Sequence, residues 1–325
     1  MNDFIKACHG RRTKRKPIWI MRQAGRYLPE YRGIRKKHGM MEIIKTPELA
    51  AEVTLMPLRR FDLDAGIIFS DIMTPLASCG VRMRFVDGKG PVIARNVESI
   101  KDIKKIREFR GDDCQYVSEA IKIVKHETTV PLIGFAGGPF TLASYLVGGI
   151  PNAKSMMHKN PRGWNLLLGK LSGIISGYIK IQEDAGADAI QIFDSWAGVL
   201  SPSDYQKYAM PFSAQVFSSI KAVSIHFSTQ SAGILGMLKK AGGDVIGVDW
   251  RMDIAEAWKR ISYSPIQGNL DPSALLGTAS DTVKSAKEIM GKTKSSGHIF
   301  NLGHGILPQT PLENVSALIR AVHGD

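Results

Sequence analysis

The chain has 325 residues, of which 44% are hydrophobic, 22% charged and 8% aromatic, placing it among ordinary globular proteins and outside disordered or collagen-like compositions. Lys and Arg outnumber Asp and Glu by 13, and the first forty residues carry ten of that excess, so the other 285 are nearly balanced. This asymmetry disfavours a protein that coats nucleic acid along a uniformly basic face.

Cys8, Cys79 and Cys114 have no CxxC spacing and are odd in number, which argues against a disulfide framework or a Cys-rich zinc site and fits a reducing compartment. No run nears the roughly 18 apolar residues of a membrane span, and no apolar core follows the N-terminal charges, so the expectation is a cytoplasmic protein without a secretory signal. Asp3 and the scarcity of Ser count against a transit peptide.

Residues 1–16, ending in RRTKRK, read as a basic arm, and 17–325 as one domain. Eight short apolar runs follow: Pro17 to Met21, Ala65 to Phe69, Pro131 to Phe135, Ala189 to Phe193, Ala222 to Phe227, Val245 to Val248, Ser264 to Gln267 and His298 to Leu302. Continuous rather than alternating runs are what parallel strands covered on both faces require. Helix signatures lie between them, at Pro47 to Arg60, Pro161 to Asp184, Ser203 to Ile220, Asp253 to Arg260, Pro272 to Met290 and Pro311 to Val322. Several open with Ser, Thr or Asp and a first-turn Pro, whose fixed φ and missing N–H suit that position.

Eight β-then-α units predict a single-domain (β/α)8 barrel. One insertion stands out: residues 81–95 carry Asp87-Gly88 between β-prone arms and read as a hairpin after strand two. A doubly wound fold is the alternative, but no GxGxxG follows the first strand.

Barrel active sites gather at the carboxyl ends of the strands. On this plan strand one ends in Arg22, Gln23 and Arg26, strand two in Ser70 and Asp71, strand four in Asp194 and Ser195, strand six in Asp249, strand seven in Asn269 and Asp271, and strand eight in His304. Arg22 and Arg26 flank Ala24-Gly25, and their planar guanidinium forks suit carboxylates, although surface pairing with local acids is the plain alternative. Asp71 ends an apolar run, where it either caps the next turn or stabilises a cation forming on a substrate. Tyr145 follows a glycine-rich stretch that lets a ligand approach, yet also fits a core tyrosine. Ser195 lacks a GxSxG context, which favours a hydrogen-bonding role over a nucleophilic one. His304 stands between two glycines and, protonated, could pair with an anion.

Two long stretches, IMRQAGRYLPEYR near the N-terminus and GFAGGPFTLASYLVGG in mid-chain, resemble the signatures of the uroporphyrinogen decarboxylase family. The resemblance continues through LRRFDLDAGIIFSDI, IFDSWAG, QGNLDP and FNLGHGI and so spans nearly the whole chain. It implies a cofactor-free (β/α)8 barrel, usually homodimeric, that removes the four acetate carboxyls of uroporphyrinogen III as CO2 to give coproporphyrinogen III in haem biosynthesis. It also implies that Arg22, Gln23, Ala24, Gly25 and Arg26 form a substrate loop, with Arg35 a further carboxylate contact. Asp71 then gathers the pyrrole N–H groups, Tyr145, Ser195 and His304 complete the substrate contacts, and Asp71, Arg22 and Tyr145 are the catalytic candidates. One departure is Met40-Met41, where family members commonly carry an aromatic; Met fills similar apolar space.

Two other readings compete. Zinc-dependent methyltransferases share the architecture but need a His-x-Cys pair on a later strand, whereas here Ile225-His226-Phe227-Ser228 stands in that place and no Cys follows Cys114. RRTKRK could instead bind nucleic acid or an anionic membrane, but such a run is more often a solvated or frayed terminus. The expected partners are therefore the porphyrinogen and a second copy of the chain, with no nucleic acid, membrane, metal or cofactor.

Overall fold

The computed structural model describes residues 2–86, 90–293 and 296–324. Its frame is a curled sheet of seven parallel strands in the order β1 (Gly66–Ile67), β4 (Leu132–Gly137), β5 (Ala189–Phe193), β6 (Val223–Phe227), β7 (Val245–Gly247), β8 (Ile266–Leu270) and β9 (His298–Leu302). Buried residues run the length of these strands, as expected where helices cover the outside and side chains fill the inside.

The eighth position is taken by Pro17–Met21, which makes a single parallel bridge, Ile18 to Phe300, rather than a ladder. Phe300 N–H donates to the Pro17 carbonyl at 2.8 Å and Asp64 N–H to the Ile18 carbonyl at 2.9 Å, so this segment links the two edges of the sheet. Its pairing is thin for a chemical reason. Pro17 has no N–H, and the N–H of Ile18 donates to the Asp64 carboxylate at 2.8 Å instead of to a neighbouring strand.

Inside the barrel side chains join this segment to two strands. The Trp19 indole N–H donates to Gln267 Oε1 and Gln267 Nε2 to Gln191 Oε1, each at 2.9 Å. The antiparallel pair β2 (Met83–Val86) and β3 (Gly90–Ile93) is the expected hairpin insertion, with Met83 opposite Ile93; its turn at Asp87-Gly88 lies outside the described residues.

Helices Pro47–Arg60 and Pro161–Asp184 form where expected, the latter capped by Asn160 on the Gly163 N–H. Trp164, Leu168, Leu171, Ile175 and Tyr178 recur on one buried face of that helix, and each fully buried side chain of this size stabilises the wall by roughly 1.5–3 kcal/mol. Two expected helices are broken. Residues 203–220 divide at Ala209 into Pro202–Tyr208 and Met210–Ser219, because Pro211 can neither donate an N–H nor sit against the preceding turn. Residues 272–290 divide into a 3-10 turn, Pro272–Leu276, and a helix, Ala279–Gly291, capped by Thr278.

The N-terminal segment packs onto the barrel. Helix Asp3–Cys8 buries Phe4, Ala7 and Cys8, and Arg12 bridges to Ser296. Arg15 reaches Asp62 at 2.6 Å and Asp64 at 2.9 Å, and His323 of the last helix meets the second Asp64 oxygen at 2.8 Å. Asp64 therefore ties together the basic run, the first barrel segment and the C-terminal helix.

Candidate active site

The loop after Pro17–Met21 is shaped by backbone geometry. Arg22 has φ of +61°, and Gly25 approaches so closely that a Cβ there would lie 2.8 Å from the Arg22 carbonyl oxygen. The Gln23 N–H donates to the Ile20 carbonyl at 2.9 Å and the Tyr27 hydroxyl to the Gln23 carbonyl at 2.7 Å, closing the turn. Its far side is held by the Ile306 N–H, which donates to the Met21 carbonyl at 2.9 Å. Arg22 then crosses the face of Gly305, where a Cβ would lie 2.3 Å from its Cδ.

Asp71 follows β1. One carboxyl oxygen accepts the Met73 N–H at 2.8 Å, which is the turn-capping role; the other takes no hydrogen bond among the described residues. The capping bond therefore occupies one oxygen and leaves the other for a further partner. Burial raises its pKa, opposed by the Met73 N–H and by the positive charge of Arg22. The preceding Ser70 hydroxyl lies 3.1 Å from both the Thr74 and Tyr178 hydroxyls, which anchors the segment to the long helix.

Tyr145 sits near the end of helix Pro139–Leu146 with its ring stacked on Trp196 at 4.3 Å. Burial raises its phenol pKa, and the charge of Asp71 adds to that while Arg22 opposes it, so the three groups share one electrostatic neighbourhood. The helix is positioned by fully buried Asp194, which accepts from the Thr141 hydroxyl at 3.0 Å and the Ser213 hydroxyl at 3.2 Å. Gly138 is required there, since a Cβ would fall 2.5 Å from the Asp194 carboxyl carbon. Asp194, which ends the β5 run, is therefore a positioning group rather than a ligand-facing one. Beside it, half-buried Ser195 has its carbonyl held by the Thr229 hydroxyl at 2.6 Å, and its own hydroxyl has no partner among the described residues.

His304 differs from expectation. Burial and the neighbouring Arg22 and Arg251 lower its pKa to about 4, opposed by Asp249, which favours the neutral imidazole over the cation expected from the sequence. Its flanking glycines are sterically needed: a Cβ on Gly303 would lie 2.4 Å from the Trp250 backbone nitrogen.

Arg22, Asp71, Tyr145 and His304 come together at the mouth. The remaining candidates are arranged around them. Gln23 is fully buried beneath the loop, while Arg26 is exposed. Arg35 donates to the His38 carbonyl at 2.8 Å and, with Arg26, lies near Tyr31, whose ring packs 5.5 Å from Phe69. Ala24 and Gly25 contribute backbone. Strand β8 ends later than expected, so Asn269 lies within it and donates to the Asp249 carbonyl at 2.9 Å.

Two features escaped the sequence reading. Phe135, Phe193, Phe227 and His304 form an aromatic arc with ring centroids 5.5, 5.9 and 6.3 Å apart in turn. Its signal was visible, since three successive apolar runs end in or beside Phe. The second feature is Arg251, which pairs with Asp249 and stacks on Trp250 with its guanidinium carbon 4.1 Å from the ring centroid. The stretch compared with a zinc ligand set behaves differently from such a set. His226 faces outward, its Nδ1 3.2 Å from the Leu238 and Gly242 carbonyls and its ring against Phe217. Among the described residues no three His, Cys, Asp or Glu side chains are placed to hold a metal ion.

The profile of the uroporphyrinogen decarboxylase (URO-D) family matches residues 1–324. The chain belongs to the uroporphyrinogen decarboxylase family. It is 48% identical over 337 residues to the uroporphyrinogen decarboxylase of Carboxydothermus hydrogenoformans, covering 99% of this chain and 96% of that one. It is 44% identical to that of Solibacter usitatus, covering 98% and 96%. Among solved structures, a methyltransferase from Methanosarcina mazei superposes with a TM-score of 0.82 at 22% identity, covering 98% of this chain and 97% of the other, which is a likeness of fold.

Proposed function

We propose that the chain is a uroporphyrinogen decarboxylase, a carboxy-lyase of porphyrin biosynthesis that takes uroporphyrinogen III to coproporphyrinogen III. The observation that carries this reading is the carboxylate of Asp71, set beside Arg22 and the Tyr145 phenol at the mouth of a barrel whose sequence matches the family from end to end.

Loss of CO2 needs an electron sink, and the pyrrole ring of the substrate can provide it. A proton added to a ring carbon next to an acetate arm makes the ring cationic. The carbon–carboxylate bond then breaks, its electron pair flows into the ring, and CO2 leaves. A second proton completes the methyl group while the ring returns its first, so each arm consumes one proton net. Asp71, charged and fixed by the Met73 N–H, stabilises the cation where it forms, because a preorganised carboxylate needs no reorganisation as the charge appears. Its free oxygen is the natural acceptor for pyrrole N–H groups. Arg22, Arg26 and Arg35 hold carboxylates, with Gln23, Ala24 and Gly25 shaping the loop that carries the first two. Tyr145 and Ser195 supply hydroxyl donors, and His304 acts as a neutral hydrogen-bonding group. The reading includes a homodimer in the cytoplasm acting without a cofactor. Among the described residues no helix is long and apolar enough to cross a membrane.

The test is anaerobic incubation of the purified chain with uroporphyrinogen III, followed by oxidation and chromatography of the porphyrins. Products with seven to four carboxylates, formed without additives, support the reading, and their absence overturns it. Light scattering of the same preparation checks the dimer.

A further inference from the structure

The substrate of the proposed reaction carries carboxylates around its entire rim, yet the arginines of the loop after Pro17–Met21 and of the helix that follows lie on one side of the barrel. Arg22, Arg26 and Arg35 all fall between Pro17–Met21 and β1. Counting round the ring from Pro17–Met21, β1 is the second position and β7 the sixth, so the loop after β7 faces the loop of Asp71 across the mouth. That loop is Asp249-Trp250-Arg251. It touches the rim directly, since Gly303 packs so closely on the Trp250 backbone nitrogen that a Cβ would not fit.

We propose that Arg251 is a specificity-determining residue that binds a peripheral carboxylate of the porphyrinogen on the side of the mouth opposite Asp71. The inference rests on the decarboxylase reading and adds to it a cation for the far half of the ring.

Three observations carry it. The guanidinium is preorganised: Asp249, only 3% exposed, holds one Nη1, and the Trp250 indole holds its plane. Asp249 is itself fixed by the Gln230 N–H at 3.0 Å, and its carbonyl by Asn269. The side chain is nevertheless 46% exposed, and its Nε and Nη2 make no hydrogen bond among the described residues. Its positive charge is also felt at His304, which places the guanidinium within electrostatic reach of the mouth. A guanidinium can share its five donors between two carboxylates, one from the protein and one from a ligand.

The experiment compares wild type with Arg251→Gln, Arg251→Lys and the double variant Asp249→Asn/Arg251→Gln. It measures the binding of uroporphyrin, coproporphyrin and coproporphyrin tetramethyl ester by tryptophan quenching, alongside anaerobic KM and kcat with uroporphyrinogen III. Arg251→Gln is expected to weaken uroporphyrin binding and raise KM about tenfold while kcat changes less than threefold. Arg251→Lys should recover part of the loss. The double variant should bind better than Arg251→Gln, because it leaves no unpaired carboxylate facing the ligand. If the bound group is a propionate, coproporphyrin loses as much as uroporphyrin; if it is an acetate, only uroporphyrin does, and either pattern supports the inference. The ester should be indifferent to the substitution. A wild-type chain that binds uroporphyrin, with Arg251→Gln binding equally well, overturns this inference alone. A wild-type chain that neither binds nor turns over overturns the decarboxylase reading and this one with it.

Discussion

Gly305→Ala separates the placement of Arg22 from the stability of the fold. An alanine Cβ at this position would lie 2.3 Å from Arg22 Cδ, 2.8 Å from Cγ and 2.9 Å from Nε. Ordinary contact begins near 3.4 Å, so the arginine stem has to move by about 1 Å. The obstructed atoms belong to a flexible, exposed side chain, and the backbone of residue 305 has no need of a left-handed φ, so the fold should tolerate the change. Displacing a substrate-positioning group by ~1 Å costs on the order of a hundredfold in rate. Gly305→Ala should therefore melt within a few degrees of wild type while kcat/KM for uroporphyrinogen III falls between tenfold and a hundredfold. Gly303→Ala is the contrasting control. There the Cβ meets the Trp250 backbone nitrogen at 2.4 Å, which cannot rotate away, and overpacking of this kind destabilises by roughly 1–3 kcal/mol. Melting curves and anaerobic kinetics on the same preparations decide the matter. A Gly305→Ala enzyme within threefold of wild-type kcat/KM would refute the role assigned to Arg22.

Asp71→Asn keeps an oxygen for the Met73 N–H and should retain its melting temperature, but product formation should fall at least a hundredfold; near wild-type conversion would sink the assignment. Because burial raises the Asp71 pKa and Arg22 lowers it, the acidic limb of kcat/KM should lie above the usual carboxylate range, and Arg22→Gln should move it further upward in the residual activity. A limb that stays in place after that substitution contradicts the coupling. Buried His226 and His298, with pKa values lowered to about 4 and about 3, stay neutral in the fold while the unfolded chain takes up protons below about 6.5, so each withdraws on the order of 3 kcal/mol of stability as pH falls from 6.5 toward 4. Asp194, raised to about 6, acts in the opposite sense, since its protonated form is favoured in the fold and its contribution is lost as pH rises through 6. His226 and His298, joined by His304 in the same sense, outweigh Asp194, and the urea midpoint at pH 5 should lie below that at pH 7; an equal or higher midpoint at pH 5 would contradict this balance.

The barrel was legible because its strands are buried on both faces and therefore read as uninterrupted apolar runs. Seven of the eight runs are strands, and the eighth fails for a reason that periodicity does not encode. Ile18 is apolar enough for a strand, but its N–H belongs to a carboxylate 46 residues away. The helix breaks at Ala209 and Gly277 were within reach, since Pro211 and the Gly277-Thr278 stop-and-start are ordinary punctuation that the longer apolar pattern masked. The N-terminal run was the harder case. RRTKRK looks like a solvated tail because local sequence does not reveal that Asp62, Asp64 and His298 wait for Arg15 and Lys16 on distant elements.

At the candidate site, the gathering of Arg22, Asp71, Tyr145 and His304 at one end of the barrel was legible and charge state was not. A histidine between two glycines can be a cation or a neutral donor, and only the neighbours decide. Here Arg22 crosses Gly305 on one side and Arg251 lies beyond Gly303 and Trp250 on the other, so a proton on His304 would add a third positive charge to a partly dry mouth. The same arrangement changes what net charge means for this chain. Of the twelve bases in the first forty residues, Arg15 is neutralised by two aspartates, Lys16 is half-buried against Thr293 and His298, and Arg22 reaches the mouth. Recognition of a polyanionic ring consequently depends on which guanidinium forks are held with an edge open at the strand ends. Arg251 meets that condition from a part of the sequence where the overall charge is close to zero.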